Sequence, residues 1–168
     1  MTVSLRDARV HAADREWIQS VFRDYLDDLR VRRTGLFPVL GSVGLSELDQ
    51  VQVWLADRHA SLLTILDHGQ PAGFALIVRE PTPSGVQYRM AEFFIARPKR
   101  RRGIGRGAAR LILDRFAGQW LVTQDGTNRE ATAFWRNVLA GYTSGDYRER
   151  TGDGEVRQHF SSAYSNKG

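Results

Sequence analysis

The stretch from Ala91 to Ala109, AEFFIARPKRRRGIGRGAA, constrains this chain more than any other. An apolar run with strand character comes first, a dense basic run follows, and alternating glycines then open a helical pattern. Each part serves anion binding. Glycine removes side chains that would hold backbone N–H groups away from a ligand. The first turn of a helix adds unpaired N–H donors and a partial positive charge. Arginines contribute paired, charge-assisted hydrogen bonds to phosphate oxygens. Strand, glycine turn and helix in this order predict a pyrophosphate-type site on an α/β scaffold.

The 168 residues, 42% hydrophobic and 26% charged, suit one globular domain with a sizeable core. Cysteine is absent, which excludes disulfides, thiolate zinc sites and a cysteine nucleophile. The four histidines are scattered without ligand spacing, so no metal is expected. No apolar run approaches the roughly 18 residues of a membrane span, and no signal-peptide core opens the sequence, so a cytoplasmic protein is expected. The net charge of +5 is carried by arginine, with lysine only at Lys99 and Lys167. Arg97, Lys99, Arg100, Arg101, Arg102, Arg106 and Arg110 cluster together. Such a surface suits an anionic ligand, either a phosphorylated small molecule or nucleic acid.

Periodicity gives the remaining order. Residues 3–7 read as a short strand. Trp17, Ile18, Val21, Phe22, Tyr25, Leu26 and Leu29 recur at helical spacing from Asp14, and a loop with several breakers follows. Ser46, with Asp49 three residues on, caps a second helix to about Arg58. Ser61–Asp67 and Ala72–Glu80 form a hairpin, and Gln87–Ala96 is the next strand. The glycine loop leads into a helix to about Ala117, followed by a strand at Trp120–Gln124. A last helix runs from Asn128 to Gly141, which ends it, and Tyr142–Arg150 with Glu155–Ser161 close the chain as a hairpin. The order is β-α-α-β-β-β-α-β-α-β-β.

Three phosphate-site patterns compete for the glycine turn. A P-loop needs Gly-Lys-Ser/Thr where this chain has Gly105-Arg106-Gly107, and fails. Gly103, Gly105 and Ala108 satisfy the dinucleotide-binding spacing, with Asp125 downstream. That motif opens the first βαβ unit of its fold, however, and here it follows two helices and an antiparallel meander. The third pattern uses more of the chain. Arg100-x-x-Gly103-x-Gly105 matches the R/Q-x-x-G-x-G/A signature, with Phe93-Phe94-Ile95 upstream and Asn128-x-x-Ala131-x-x-Phe134-Trp135 before Gly141-Tyr142. In these three motifs the sequence resembles the GNAT acetyltransferase superfamily, within it a bacterial branch of predicted acetyltransferases.

The resemblance implies a single α/β domain, a mixed and mostly antiparallel sheet of about seven strands flanked by about four helices, with central strands splayed apart. Residues 1–60 would line the acceptor side, 61–141 would form the acyl-CoA-binding core, and 142–168 a closing hairpin and tail. It implies acetyl-CoA as co-substrate and no metal. The implied activity is acetyl transfer to a primary amine of a small molecule or peptide by direct attack on the thioester.

The implied cofactor contacts are the loop Arg100, Arg101, Arg102, Gly103, Ile104, Gly105, Arg106 and Gly107, together with the strand backbone of Phe94, Ile95 and Ala96. Asn128 would touch the cofactor arm or cap its helix. Phe134 and Trp135 would border the thiol. An N–H near Ile95 would polarise the thioester carbonyl. Glu92 is the candidate to deprotonate the amine, whose pKa near 10 keeps it charged at neutral pH. A strand glutamate can equally face solvent or pair with Arg89. The family's usual tyrosine acid after phenylalanine is here Trp135, whose indole N–H is no acid near pH 7. Trp135 either packs in the core or shapes the thiol pocket, while Tyr142 or Tyr147 are the candidates to replace the acid.

Cues for the acceptor conflict. Tyr25, Asp24 and Asp28 suit an amine, whereas Arg30, Arg32 and Arg33 suit a carboxylate, and Leu36, Phe37 and Leu40 suit an apolar floor. A catalytically weak acyl-CoA-binding or regulatory module is the alternative function, supported by Trp135. Nucleic acid is not the expected partner, because the basic cluster adjoins glycines instead of exposed aromatics. No membrane partner is expected, and a homodimer is compatible with the pattern.

Overall fold

In the computed structural model the described residues are 2–32 and 47–162, with side chains described for 2–28 and 50–162. The expected cap at Ser46, the Arg33–Leu40 loop and the side chains of Asp49, Arg30 and Arg32 lie outside them. The elements follow the expected order. They are β1 (Val3–Asp7), α1 (Ala12–Arg32), α2 (Glu47–Ala56), β2 (Ala60–Asp67), β3 (Gln70–Thr82) and β4 (Gly85–Ile95), then α3 (Ile104–Arg115), β5 (Gly118–Asp125), α4 (Arg129–Tyr142), β6 (Arg148–Gly152) and β7 (Glu155–Ser162).

The seven strands form one sheet in the order β1-β2-β3-β4-β5-β7-β6. All neighbours are antiparallel except β4 and β5. Both faces of the sheet carry a core. On one face Ile104, Ala108, Ile112 and Leu113 of α3 and Trp135, Val138 and Leu139 of α4 pack on Leu63, Ala75 and Trp120. These helices thus bury the apolar stripe that their i, i+4 spacing predicts. On the other face α1 and α2 press Phe22, Tyr25 and Trp54 onto Phe74 and Phe94, with ring centroids 5.1–6.5 Å apart. Asp14 anchors the start of α1: it is buried and takes both Nε and Nη2 of Arg6, at 2.7 and 2.6 Å, which holds its carboxyl below the usual range.

One boundary differs from the periodicity. Gly141 lies inside α4, which continues to Tyr142 and passes its last N–H, from Thr143, to Leu139 O at 2.9 Å. The chain turns afterwards, where Ser144 and Gly145 take left-handed φ of 54° and 82°. Tyr142–Tyr147 is therefore helix end and turn, and β6 starts only at Arg148.

Candidate active site

Strands β4 and β5 pair only over Gln87–Gln119, Tyr88–Trp120 and Arg89–Leu121. Beyond Arg89 they part, although β4 stays joined to β3 as far as Ile95 and β5 to β7 as far as Asp125. A cavity of about 750 Å³ occupies the gap. Its walls include Glu92 to Ile95 of β4, Leu121 to Asp125 of β5, and Asn128, Ala131, Phe134 and Trp135 at the start of α4.

Parting leaves strand backbone without a sheet partner. The Ala96 N–H donates to Ala72 O at 2.8 Å, on the β3 side. Alternation along a strand then turns Glu92 and Phe94 toward β3 as well, and Phe93 and Ile95 toward the gap. The Ile95 carbonyl accepts Nε of Arg100 at 2.7 Å. The groups left facing the cavity are thus the N–H of Ile95 and both groups of Phe93. Phe94 contributes wall, not a donor, and Ala96 lies outside the lining.

At the end of β4 the chain makes a short 3₁₀ turn, Arg97–Lys99, and then a loop into α3. Arg101 and Gly103 adopt left-handed φ of 60° and 77°. This conformation costs an arginine about 1–2 kcal/mol and turns successive peptide N–H groups to one side. The amides of Arg101 through Arg106 make no hydrogen bond to a described residue, whereas Gly107 N–H closes the first helical turn on Gly103 O at 3.0 Å. The result is a run of free donors at a helix N-terminus, an anion cradle. A Cβ on Gly105 would stand 3.4 Å from Phe134 and 3.5 Å from Ile95, so glycine keeps this floor low.

The arginine cluster divides by role. Arg101 and Arg106 border the cavity beside the cradle. Arg102 is exposed and outside its lining. Arg100 is committed elsewhere: besides Ile95 O it binds Asp28 of α1 and lies over the Phe94 ring, 5.5 Å from its centroid. It braces α1 against β4. Ile104 is buried in the α3 core and not in the cavity wall.

Glu92 stands on the gap's other side. Between Leu76 and Ile77 the register of β3 skips one residue of β4, a bulge at Ala91, and bulges re-aim neighbouring side chains. Glu92 is 6% exposed and lines the cavity, and no hydrogen bond joins it to a described residue. Ala91 beside it and Phe94 two residues on belong to the apolar core beneath α1 and α2. Burial pushes its carboxyl from the ordinary 4.5 up to about 8. Arg89 does not neutralise it, since its Nε binds Glu80 at 2.7 Å. Tyr25 shares the cavity wall; its ring is wedged against Phe74 and Phe94, and its hydroxyl has no partner among the described residues.

Asn128 does cap α4, its Oδ1 accepting Ala131 N–H at 3.1 Å, and it borders the cavity. Trp135 packs on Phe93 and Phe134 at 5.3 and 5.1 Å and also lines the cavity. Tyr142 is not at the site. Its hydroxyl donates to Asp114 at 2.7 Å on the outside of α3, away from the cavity lining. Burial, reinforced by the Asp114 carboxylate, pushes the phenol pKa upward, so it is no proton donor for the gap. Tyr147 packs against the α3–α4 core and is absent from the lining.

A polar chain in the wall escaped the sequence reading. Gln124 Nε2 donates to Gln158 Oε1 at 2.7 Å, Gln158 Nε2 donates to Glu149 at 3.0 Å, and Arg136 grips Glu149 at 2.9 and 2.8 Å. A carboxylate only accepts, so Glu149 fixes the direction of both amides. The signal was available: Gln124 follows Trp120 and Val122 at strand period, a polar residue in an apolar series.

An anion cradle at a helix start, a split between two parallel strands and a buried carboxyl beside the split coincide with one known sequence pattern. Residues 18–140 match the profile of the acetyltransferase (GNAT) family. The chain belongs to the GNAT family. As a member it is an N-acetyltransferase, in a family that uses acetyl-CoA. The fold is similar to that of an acetyltransferase from Thermus thermophilus, at 16% identity over 96% of this chain and 97% of that one, TM-score 0.63. It is also similar to RimL, a ribosomal L7/L12 alpha-N-protein acetyltransferase in complex with coenzyme A, at 12% identity over 95% and 93%, TM-score 0.68. A third GNAT-type likeness is aminoglycoside 6′-acetyltransferase type Ii, at 12% identity over 96% and 97%, TM-score 0.63. At such identities the likeness is one of fold. A search of curated proteins gives no match. Among the described residues no helix is long and apolar enough to cross a membrane.

Proposed function

We propose that this GNAT protein moves an acetyl group from acetyl-CoA to a primary amine of a small molecule or peptide by direct attack on the thioester. The observation that carries the reading is that free amides, Arg101 to Arg106, and a buried carboxyl, Glu92, border the same cavity at the β4–β5 gap. Acetyl-CoA supplies an activated acetyl thioester; the rest is done by this chain. The amide cradle, with the side chains of Arg101 and Arg106, holds the diphosphate. The unpaired groups of Phe93 and the Ile95 N–H take the amides of the pantetheine arm as an added strand would. The Ile95 N–H is the donor aimed at developing oxyanion charge.

Glu92 removes the proton of the incoming ammonium. An ordinary carboxylate is about six units below an alkyl amine in pKa, and burial narrows that difference, which makes Glu92 a stronger base. Tyr25 orients the amine with its hydroxyl, which no described residue engages. No side chain described near Trp135 is an acid for the leaving sulfur, and a thiol with pKa near 8.5 leaves without one. Residues 1–60 in this reading hold the acceptor side and residues 61–141 the cofactor side.

The test is a thioester-consumption assay with a panel of amines, run beside calorimetric binding of acetyl-CoA. Release of coenzyme A that depends on an amine, and falls steeply in Glu92→Gln, is the expected result. Binding without turnover for every amine would favour a regulatory module, and no binding at all would defeat the assignment.

A further inference from the structure

On the acceptor side the sheet is only half covered. Helices α1 and α2 pack over β2, β3 and β4, while no described helix lies over the same face of β5, β7 and β6. That face is read from the burial alternation: Val156, Gln158 and Phe160 point into the α3–α4 side, so Glu155, Arg157 and His159 point outward onto an open shelf. Across β6, Arg150 stands opposite Arg157, and Arg148 opposite His159. Thr123 and Asp125 of β5 pair with Arg157 and Glu155 and continue the shelf to the cavity, whose lining includes all four.

Charge on this shelf is sorted. Next to the cavity lie Asp125 and Glu155, with Glu92 just inside. Arg157 binds Glu155 through Nε and Nη2 at 3.0 and 2.9 Å. One strand further out stand Arg148 and Arg150, both exposed and with no hydrogen bond or ion pair to a described residue. Edge strands do carry charges that deter pairing. Two arginines facing each other across strands is a different matter, because directly opposed like charges destabilise a sheet. Glu149, between them in sequence, faces the other way and is consumed by Arg136 and Gln158. The cationic row therefore lacks its counter-charge within the described fold.

We propose that the acceptor is the N-terminus of a polypeptide with acidic residues shortly after its amine, laid across this shelf; the inference rests on the acetyl-transfer reading above. The amine sits at the acidic end, by Glu92, and the following chain crosses β5 and β7 to the arginines of β6. From Glu92 on β4 to β6 is three strand spacings, roughly 14 Å, which an extended peptide covers in about four residues. The acidic side chains are thus expected near the fourth and fifth positions. Asp125 and Glu155 would repel the same acids placed any closer.

The experiment compares short peptides that differ only in having aspartate, alanine or lysine at positions four and five, with acetyl-CoA saturating and its binding measured separately. Wild type is expected to favour the acidic peptide over the basic one by at least about tenfold in kcat/KM, a preference that shrinks as salt rises. The double charge reversal R148E/R150E should invert the order while acetyl-CoA affinity stays unchanged and Tm does not fall. If that variant does not fold, R148Q/R150Q is expected to abolish the preference. Equal rates for the three peptides, a preference unmoved by either variant, or acetyl-CoA binding with no peptide acetylated would overturn the proposal alone. Salt-dependent RNA binding that the same reversal removes, without any peptide preference, would reassign the shelf to nucleic acid. A wild type that fails to bind acetyl-CoA would instead bring down the reading on which the proposal rests.

Discussion

Replacing Glu92 with glutamine should stabilise the protein and disable it at once. The carboxyl is 6% exposed and has no hydrogen-bond partner among the described residues, and burial takes it from 4.5 to about 8. The folded state therefore binds this proton more tightly than the unfolded chain does. Its stabilising contribution is whole below about pH 4.5, fades as pH rises, and is gone above about pH 8, by the linkage between proton binding and folding. Each pKa unit is worth about 1.4 kcal/mol, so the full swing approaches 5 kcal/mol as an upper bound; water entering the cavity reduces it. Glutamine keeps the shape and never ionises. Wild type and Glu92→Gln should thus melt together at pH 5, and the variant should melt higher at pH 9. At about 2–4 °C per kcal/mol for a chain of this size, the gap should reach several degrees. In turnover the order reverses. The kcat/KM of wild type should rise with pH through about 8, and the variant should lose that limb and follow only the free fraction of amine near pH 10. Its deficit is then larger at pH 7 than at pH 9. A melting difference that is constant from pH 5 to pH 9 would refute the reasoning, because it would mean that Glu92 is ionised at neutral pH in the folded protein.

Three further substitutions test the surroundings of the site. Tyr142→Phe removes the hydrogen bond to Asp114 outside the cavity; kcat should be unchanged and stability lower by about 1 kcal/mol in denaturant unfolding, and a large fall in kcat would return this hydroxyl to the chemistry. Gly73→Ala places a Cβ onto the backbone carbonyl of Phe94, so β3 and β4 must part; a loss of about 1–3 kcal/mol is expected, with weaker acetyl-CoA binding in calorimetry because the strand backbone moves. Gln158→Leu takes the partner of Gln124 and one hydrogen bond of Glu149 out of a buried position, which should cost about 2–4 kcal/mol and be seen as a lower midpoint with unchanged cofactor affinity.

The fold was legible because its elements are held by period. Ile18, Phe22 and Tyr25 mark the buried stripe of α1, and Ile104, Ala108 and Ile112 that of α3; nothing beyond spacing is needed to find them. The cradle was legible for a related reason. It is made of backbone, and glycine spacing reports backbone. The site's side chains were less so. Arg100 belongs to the expected motif, yet only the folded chain brings Asp28 to it from α1. Glu92 could be named from its place on β4, but its burial comes from α1 and α2 covering the face it shares with Phe94, which only the fold brings about. Tyr142 was misplaced because Gly141 reads as a helix stop, whereas α4 runs past it and Ser144–Gly145 supply the turn.

The division between backbone and side chain also explains how one fold accepts unrelated acceptors. In the proposed reading the diphosphate and the pantetheine arm are met mainly by backbone, the free amides of Arg101 to Arg106 and the free groups of Phe93 and Ile95, which depends on glycine at Gly103 and Gly105 more than on the other side chains. The acceptor side has no such repeating partner. It is lined by Tyr25, Glu92, Asp125, Glu155 and Arg157, drawn from four separate elements, α1, β4, β5 and β7. Each can change without disturbing the cradle, and the β5–β7–β6 shelf can change its charge without disturbing either core. On the proposal above, specificity for the amine is carried by residues that the cofactor does not constrain, and the arginines of β6 are the outermost of these. If they were instead part of cofactor binding, R148E/R150E would weaken acetyl-CoA binding as well as alter the choice of peptide; the separation of those two effects is what the division requires.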